Sequence, residues 1–257
     1  MLIVTLTTDW KDGDYSISCL KACILSQCKD VCIIDITHNV ASHNTLQAIF
    51  VLKNTYKHFA AGSVHIIGVN SEPSPRNQVA VMKNDGHFFI GANDGTLSLI
   101  CEKQPESIVA LPYDDKFQAF RSLELFTNCV KAISAGLNLE DFGKTCEFVQ
   151  DFSSKASCFE SRIIGRVLHI DSFGNAITNI DRETFEKICK SRKFEILVQN
   201  NFIKITELSQ YYDDVRAGKI LALFNSIGLL EIAINQGNVS KINSLDTKSS
   251  IIVNVTD

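Results

Sequence analysis

Leu2-Ile3-Val4-Thr5-Leu6-Thr7 is a near-continuous apolar run close to the start of the chain, and it sets the fold class. Such runs are typical of strands that are buried on both faces of a parallel sheet. Similar runs follow at residues 31–36 and 64–69, and helical patterns precede them at residues 15–27 and 45–59. This βαβαβ order predicts a parallel sheet with right-handed crossovers, in which ligands bind beyond the carboxyl ends of the strands.

The pattern then changes towards shorter strands. Asn84-Asp85-Gly86 is a hairpin signal between strands at residues 79–82 and 87–90, and a helix with Leu123 and Phe126 on its apolar face follows. Further strands are predicted at residues 167–170, 194–198, 202–205, 219–224, 229–234 and 251–255, with a second hairpin signal at Asn200-Asn201.

These elements define the predicted fold class and domains. We expect an α/β N-terminal domain with a mainly parallel sheet over residues 1–150. Residues 151–162 lose their periodicity and are interpreted as a linker. A small β-barrel C-terminal domain is expected over residues 163–257.

The composition excludes several classes of function. The chain has 257 residues, of which 45% are hydrophobic and 21% charged, so it can build ordinary folded domains. A formal charge of −4 offers no basic surface for nucleic acid or an anionic membrane. No apolar run approaches the ~20 residues of a membrane span, and residues 1–8 lack the pattern of a signal peptide. We therefore expect a cytoplasmic protein with neither nucleic acid nor membrane as a partner.

The nine cysteines invite a metal interpretation, because four of them follow one another as Cys19, Cys23, Cys28 and Cys32. Zinc ligands usually sit in turns with C-x2-C spacing, whereas Cys19 and Cys23 fall on a predicted helix. We interpret the four as buried free thiols that pack as small hydrophobic side chains, and we expect no metal.

Polar residues follow the first predicted strand. Asp9 stands where a dinucleotide-binding domain would place its glycine loop, but no G-x-G-x-x-G is present. Its carboxylate is suited to accept both hydroxyls of a ribose. Asp14 and Ser16 lie at the start of the next helix, where capping explains them well; Asp9 lies too far before the helix for that.

The stretch from Asp171 to Ile180 is the second candidate for a binding site. Gly174 permits a sharp turn, and Asp171 and Asn175 offer a carboxylate and an amide on either side of Phe173. This set suits a small ligand with an ammonium group and a flat ring. The alternative is an Asx-type turn in which Asp171 and Asn175 bind their own backbone.

A third candidate is the start of the helix at Leu123. Ser122 is either an ordinary N-cap or part of a site in which the helix N-terminus binds an anion, with Arg121 beside it. His38 and His43 flank the loop after the second strand, and we interpret them as structural rather than catalytic.

Five segments together resemble one family, the S-adenosyl-L-methionine (SAM) hydroxide adenosyltransferases, which are related to fluorinases and chlorinases. The matching segments, in chain order, are Leu6-Thr7-Thr8-Asp9-Trp10 with Asp14-Tyr15, Ile33-Ile34-Asp35-Ile36-Thr37-His38, Gly62-Ser63-Val64-His65, Ile170-Asp171-Ser172-Phe173-Gly174-Asn175 with Thr178-Asn179-Ile180, and Asn225-Ser226-Ile227-Gly228 with Leu230-Glu231-Ile232-Ala233. The resemblance spans nearly the whole chain.

The resemblance implies a homotrimer with SAM between the N-terminal domain of one subunit and the C-terminal domain of the next. SAM would be the substrate, with no separate cofactor. Asp9 would hold the ribose diol, and Ser226 the methionine carboxylate. The ammonium would meet Asp14, Ser16 and Asp171. The adenine would meet Phe173, Asn175 and the backbone near Gly237.

The nucleophile pocket departs from the family pattern. Members that use hydroxide carry D-P-G-V-G-T-x-R-R after the third strand and a histidine in T-F-H-G-R-D, whereas this chain has Asn70 for the aspartate and Arg121 for the histidine. Arg76 is a candidate for the missing arginine, and Ser122 falls where halogenases bind halide. The implied catalytic set is therefore Asn70, Arg76, Arg121 and Ser122, and Glu72 can add a further polar group.

The sequence thus predicts a SAM hydrolase that displaces L-methionine from the ribose C5′ with water and yields adenosine. The alternatives are a non-catalytic SAM- or adenosine-binding protein, a halide-using adenosyl transferase, and an unrelated nucleoside-processing enzyme on the same scaffold.

Overall fold

The computed structural model describes residues 1–101, 103–112, 120–151, 155–190, 192–198 and 203–256. The chain divides into two compact units, Met1–Phe152 and Ser153–Asp257. No helix among the described residues is long and apolar enough to cross a membrane.

The first unit is built on a seven-stranded sheet with the order β2-β1-β3-β5-β4-β6-β7. Its strands are β1 (Leu2–Thr8), β2 (Val31–Thr37), β3 (Val64–Gly68), β4 (Val79–Asn84), β5 (His87–Ala92), β6 (Ser107–Ala110) and β7 (Lys144–Thr145). Its helices are α1 (Tyr15–Gln27), α2 (Thr45–Lys53) and α3 (Ser122–Ser134), with short 3₁₀ turns at Tyr56–His58, Leu97–Leu99 and Leu139–Asp141.

This sheet is mixed, so the prediction of a mainly parallel sheet is wrong. Strand β1 runs parallel to β2 and β3, and β3 runs parallel to β5. Strand β4 is antiparallel to β5 and β6, and β6 is antiparallel to β7. The cause is the predicted hairpin at Asn84-Asp85-Gly86, which reverses the chain: Asp85 and Gly86 take φ values of 51° and 72° there.

Helices cover both faces of the sheet. Leu20 of α1 and Phe126 of α3 are fully buried with Val4 and Ile66 on one face. Leu52 of α2 packs on the other face, in the cluster that also contains Phe89 and Met82. Truncation of a buried ring such as that of Phe126 to alanine costs about 3–5 kcal/mol. Because helices cover both faces of the sheet, the ends of the strands remain accessible.

The second predicted helix is shorter than expected. The sequence predicts this helix over residues 45–59, but α2 ends at Lys53 and a separate 3₁₀ turn follows. The Asn54 amide donates to Phe50 O at 2.7 Å, and the Thr55 hydroxyl donates to Val51 O at 3.0 Å. These side chains take over carbonyl groups that would otherwise continue the helix.

The second unit contains a nearly closed, barrel-like sheet of eight strands. They are β8 (Ser157–Phe159), β9 (Arg162–Ile170), β10 (Ala176–Asp181), β11 (Lys193–Val198), β12 (Ile203–Ile205), β13 (Ile220–Phe224), β14 (Leu229–Ile234) and β15 (Ser250–Thr256). Seven run in the order β12-β11-β15-β9-β10-β14-β13, while β8 pairs with β9 at the side. The end strands β12 and β13 approach each other, and α4 (Arg182–Cys189), α5 (Val239–Ile242) and a 3₁₀ turn at Tyr212–Asp214 complete the unit.

The strand pairings described in the second unit are all antiparallel, as expected of a sheet assembled from hairpins and meanders. The range 151–162, interpreted above as a linker, includes β8. The hairpin signal at Asn200-Asn201 lies outside the described residues, although the strands on either side of it, β11 and β12, do pair.

The cysteines next to the first sheet are free thiols, but not all are buried. Cys28 is buried, Cys23 and Cys32 are half-buried, and Cys19 is exposed on α1. The expectation of four buried thiols is therefore wrong for Cys19, which lies beside the core-facing stripe of Ile17 and Leu20 rather than within it.

Candidate functional site

Asp9 lies directly after β1, at the carboxyl edge of the first sheet. Its Oδ2 accepts a hydrogen bond from the backbone N–H of His43 at 2.8 Å. His43 has a φ of 61°, an uncommon conformation for a residue other than glycine. Asp9 thus fixes the loop after β2 and does not cap α1, in keeping with its distance from that helix in the sequence.

Asp14 is the N-cap of α1, and its Oδ1 accepts from the backbone N–H of Ser16 at 2.8 Å. Hydrogen bonds from the hydroxyl and the backbone of Ser16 lower the pKa of the Asp14 carboxyl. The capping interpretation therefore holds for Asp14, and it leaves an ionised carboxylate exposed at the same edge as Asp9.

His38 is a buried structural histidine, as predicted. Its Nδ1 lies 2.8 Å from Thr8 Oγ1. Its Nε2 lies 3.2 Å from Asp35 Oδ1 without good hydrogen-bond alignment. Burial raises the pKa of Asp35, but hydrogen bonds and charge from Lys21 and His38 outweigh this and leave that pKa lowered.

The loop after β3 carries the residues that replace the family's water-activating aspartate and arginine. Asn70 has a φ of 49°, and its amide donates to Asp94 Oδ2 at 2.8 Å. The Asn77 amide donates to the carbonyl oxygens of Asn70 and Glu72 at 2.7 and 2.9 Å. Arg76 is exposed in the same loop, and its backbone N–H donates to Ser74 Oγ at 3.2 Å.

The side chain of Glu72 reaches the start of α3. Its Oε1 accepts from the backbone N–H of Arg121 at 2.9 Å. Its Oε2 accepts from the Ser122 hydroxyl at 3.2 Å and lies 3.5 Å from the Ser122 backbone nitrogen. Ser122 is 1% exposed. The interpretation of Ser122 as the N-cap is wrong: Arg121 occupies the cap position without a side-chain cap bond, and Glu72 supplies the acceptor from 50 residues earlier.

An aromatic contact joins the two loops of this edge. The rings of Trp10 and Phe120 have centroids 5.2 Å apart, and Phe120 immediately precedes Arg121. Trp10 also packs on Gly68 at the end of β3, where an added Cβ would lie 3.0 Å from the indole. The structure therefore brings Asp9, Glu72 and Ser122 to one edge of the first unit.

In the second unit, Asp171 forms the Asx-type turn given above as the alternative. Its Oδ1 accepts from the backbone N–H groups of Phe173 and Asn175 at 2.9 and 2.8 Å, and its Oδ2 accepts from the Asn175 amide at 3.1 Å. Gly174 has a φ of 88°, as the turn requires. Asn175 is 7% exposed, whereas Phe173 is 75% exposed. The carboxylate thus rigidifies a turn that presents an aromatic ring to solvent.

The segment after β14 lies against this turn. The backbone N–H of Ser240 donates to Gly174 O at 3.0 Å, and a Cβ on Gly174 would meet Asn238 at 2.1 Å. Gly237 directly precedes Asn238. The two residues of this segment that contact Gly174, at the centre of the turn that carries Phe173 and Asn175, are thus Asn238 and Ser240, which follow Gly237 in the sequence.

Ser226 lies in the exposed turn between β13 and β14, on the rim of an open groove of about 640 Å³. Glu231 lines the same groove although it is 3% exposed. It accepts from the Tyr212 hydroxyl at 2.7 Å and from the Asn225 amide at 3.2 Å. Burial, the hydrogen bond to Glu231 and the charges of Glu231 and Asp171 raise the pKa of Tyr212.

Sequence reasoning assigned no role to Tyr212 or to Glu231. One signal was available for Glu231, because it is the single charged residue in the apolar run of β14. A carboxylate in a buried strand needs hydrogen-bond donors, and this requirement points to partners such as Tyr212 and Asn225.

Comparison with known proteins identifies the family. The model of the SAM hydroxide adenosyltransferase N-terminal domain matches residues 4–143, and that of the C-terminal domain matches residues 165–252. The chain belongs to the SAM hydroxide adenosyltransferase family.

A named relative supports this assignment, and two solved structures share the fold. The (R)-S-adenosyl-L-methionine hydrolase of Methanocaldococcus jannaschii is 26% identical over an alignment of 263 residues that covers 95% of this chain and 92% of that protein. An uncharacterized conserved protein from Thermotoga maritima superposes with a TM-score of 0.83 and 26% identity, covering 98% of this chain and 99% of that one. A conserved hypothetical protein from Thermus thermophilus, at 19% identity and full coverage of both chains, has a TM-score of 0.77 and shares the fold.

Proposed function

We propose that this protein is a SAM hydrolase that forms adenosine and L-methionine. The observation that carries the proposal is the Asp171 turn, which holds the exposed ring of Phe173 beside a carboxylate within a domain of the matched family. A carboxylate and a flat ring are the groups that a cationic nucleoside such as SAM requires. The name of the Methanocaldococcus jannaschii relative agrees with this substrate.

The binding roles divide between the two units. In the first unit, the Asp9 carboxylate accepts the ribose hydroxyls, and Asp14 with Ser16 faces the methionine ammonium. In the second unit, Asp171 pairs with the same ammonium, Ser226 donates to the methionine carboxylate, and Phe173, Asn175 and the Gly237 backbone contact the adenine. A desolvated ammonium needs a carboxylate partner, and the lowered pKa of Asp14 supports that role.

The reaction is a displacement at C5′. The oxygen of water forms a bond to C5′ while the C5′–S bond breaks, and its electron pair neutralises the sulfonium as methionine leaves. The water proton passes to a base and then to solvent. Because the leaving group is neutral, holding water in line with the C5′–S bond supplies most of the acceleration.

The nucleophile side uses an altered set of residues. The residues at the positions that we assign to water or anion binding are Asn70, Arg76, Arg121 and Ser122. The side chain of Asn70 is an amide, which cannot act as a general base. Its amide group is held by Asp94, which supports an orienting role for Asn70 rather than a proton-accepting one.

We also propose that the enzyme works as a homotrimer in the cytoplasm, with each site shared between subunits. The exposure of Phe173 at 75% and of Tyr211 at 66% in the single chain supports this, because large apolar side chains near a ligand site are usually covered by a partner. The nine free thiols support a reducing compartment. Light scattering on the purified protein tests the trimer.

The activity is tested by incubating the purified protein with SAM and separating the products by chromatography. Equimolar adenosine and methionine are expected, with no change when chloride is added. The absence of adenosine overturns the proposal. If calorimetry then shows SAM binding without turnover, the second candidate, a non-catalytic SAM-binding protein, is favoured; the amide at Asn70 is the observation that speaks for it.

A further inference from the structure

We propose that Glu72 makes water, and not halide, the nucleophile of this enzyme. In this inference, which rests on the proposed function, the carboxylate occupies the anion-binding donors at the start of α3 and accepts the proton of the attacking water. Glu72 would then be a catalytic residue, and it would also determine which nucleophile the enzyme accepts.

The hydrogen-bond donors at the start of α3 are directed at the Glu72 carboxylate. The Arg121 backbone N–H and the Ser122 hydroxyl both point at Glu72 oxygens, at 2.9 and 3.2 Å, and the Ser122 backbone nitrogen lies 3.5 Å away. Backbone N–H groups at a helix N-terminus together with a buried hydroxyl form the usual cradle for a small anion. Here a covalently attached carboxylate fills that cradle.

The negative charge of Glu72 opposes the binding of a halide in the same place. A halide that entered this cradle would have to displace the Glu72 carboxylate or lie against a like charge, and both cost free energy. A water molecule is neutral and pays no such cost. Glu72 therefore discriminates against halides by charge repulsion. The hydroxyl of Ser122, a residue that is 1% exposed, remains hydrogen-bonded to the Glu72 carboxylate.

The Glu72 carboxylate also retains an acceptor position for the proton of the attacking water. An ionised carboxylate has about four acceptor positions, and the described contacts to Arg121 and Ser122 use three, so a water proton can take the next. As the water oxygen bonds to C5′ and methionine leaves with the C5′–S electron pair, Glu72 accepts one proton and later releases it to solvent. Asn70 cannot accept that proton, and its amide group is already bound to Asp94.

The test compares Glu72→Gln and Glu72→Ala with Glu124→Gln and Glu124→Ala. Glu124 is the matched control because it is an exposed glutamate in the first turn of the same helix. The Glu72 variants are expected to lower kcat about 10²-fold, the usual contribution of a general base, with KM for SAM nearly unchanged. The Glu124 variants should match the wild type.

Chloride provides a readout that a merely structural role would not move. Thermal unfolding is recorded in sodium chloride and in sodium gluconate at equal ionic strength, without SAM. Chloride should stabilise Glu72→Ala selectively, because the Arg121 backbone N–H and the Ser122 hydroxyl lose the Glu72 carboxylate as their acceptor, and should leave the wild type and Glu124→Ala unaffected. With SAM, Glu72→Ala in chloride should form some 5′-chloro-5′-deoxyadenosine.

The outcomes separate this inference from the proposed function. If the wild type forms adenosine and the Glu72 variants turn over like the Glu124 variants, the inference is overturned and the hydrolase stands. If the wild type forms no adenosine, the proposed function and the catalytic part of the inference both fail. The chloride measurement needs no turnover, and equal responses in all proteins refute the claim that Glu72 fills an anion site.

Discussion

Asp9 Oδ2 accepts a hydrogen bond from the backbone N–H of His43 at 2.8 Å, across 34 residues of sequence. One carboxylate thereby fixes a loop and presents its remaining acceptor positions at the edge where we place the ribose. The hydrogen bond to His43 and the proposed contact with the ribose can be separated experimentally, because asparagine at position 9 retains one acceptor oxygen while alanine retains none.

Asp9→Ala is expected to weaken SAM binding by at least about 10²-fold, since hydrogen bonds to a charged acceptor contribute about 1.5–3 kcal/mol each. Asp9→Asn should bind SAM more weakly than the wild type but keep its thermal stability. Calorimetric titration measures the affinities. Asp12→Asn is the control, because Asp12 binds Asn39 in the same region. Unchanged SAM affinity in Asp9→Ala would remove the ribose assignment.

Phe173 offers the cleanest separation of binding from folding. Its ring is 75% exposed within its own chain, so Phe173→Ala should change the free energy of unfolding of the single subunit by less than about 0.5 kcal/mol. Loss of base stacking should weaken SAM binding by about 1–3 kcal/mol. Titration and thermal unfolding on the same preparation give both quantities. Exposed Tyr15, which we assign no contact with adenine, serves as the control through Tyr15→Ala, and equal affinities of the two variants would contradict the adenine contact.

Substitution of Gly174 tests whether the Asp171 turn must lie close to Asn238. Gly174→Ala places a Cβ 2.1 Å from Asn238, whereas Gly13→Ala meets no atom within 4 Å; their φ values of 88° and 91° are almost equal. Both variants therefore carry similar backbone strain, and only the first carries a clash. We expect Gly174→Ala to be less stable by a further 1–3 kcal/mol or so in denaturant unfolding, with weaker SAM binding. Equal losses would show that the contact is unimportant.

Tyr212 and Glu231 are expected to act as a unit. Tyr212→Phe removes the 2.7 Å hydrogen bond and leaves the buried Glu231 carboxylate with fewer donors, which should cost about 1–3 kcal/mol of stability. Because the partners are in contact, Tyr212→Phe and Glu231→Gln should not be additive. A double-mutant cycle by urea unfolding gives the coupling energy. A coupling near zero would mean that the groove is not held together by this pair.

His65 makes the stability of the first unit depend on pH. Burial, reinforced by the nearby His87, lowers its pKa from 6.5 to about 3, and its Nδ1 lies 2.7 Å from Thr5 Oγ1. Between pH 6.5 and 3 the unfolded chain binds a proton that folded His65 does not, so stability falls as pH falls through that window. The slope from one such group approaches about 1.4 kcal/mol per pH unit.

The comparison of His65→Gln with His58→Gln tests this dependence, since His58 is exposed in a nearby turn. Urea unfolding between pH 7 and 4.5 or so should give a shallower pH dependence for His65→Gln alone. Because burial also lowers the pKa of His87, some dependence should persist in that variant. Identical slopes for the wild type and His65→Gln would contradict a neutral buried His65.

The sequence revealed the elements whose residues interact locally. Helix α1 and strand β14 have the predicted bounds because their apolar spacing and flanking polar residues are unambiguous. The prediction of Asp14 as a cap succeeded for the same reason. The contact between Glu72 and Ser122 spans 50 residues and leaves no periodic signal in one sequence. Helix α4 was not predicted because it has only eight residues, and its buried side chains are one large ring, Phe185, and one small thiol, Cys189.

The self-bonded Asp171 turn bears on how this chain should be compared with its relatives. Asp171 is needed to shape the turn whether or not a ligand is present, so selection for folding alone would preserve it in a descendant that had abandoned catalysis. The ring of Phe173 is exposed within its own chain and is not needed to fold the subunit, so this position would vary once SAM binding and the contact with a partner subunit were no longer selected. Among homologues, retention of an aromatic ring at this position is therefore a better marker of surviving function than retention of the acid two residues before it.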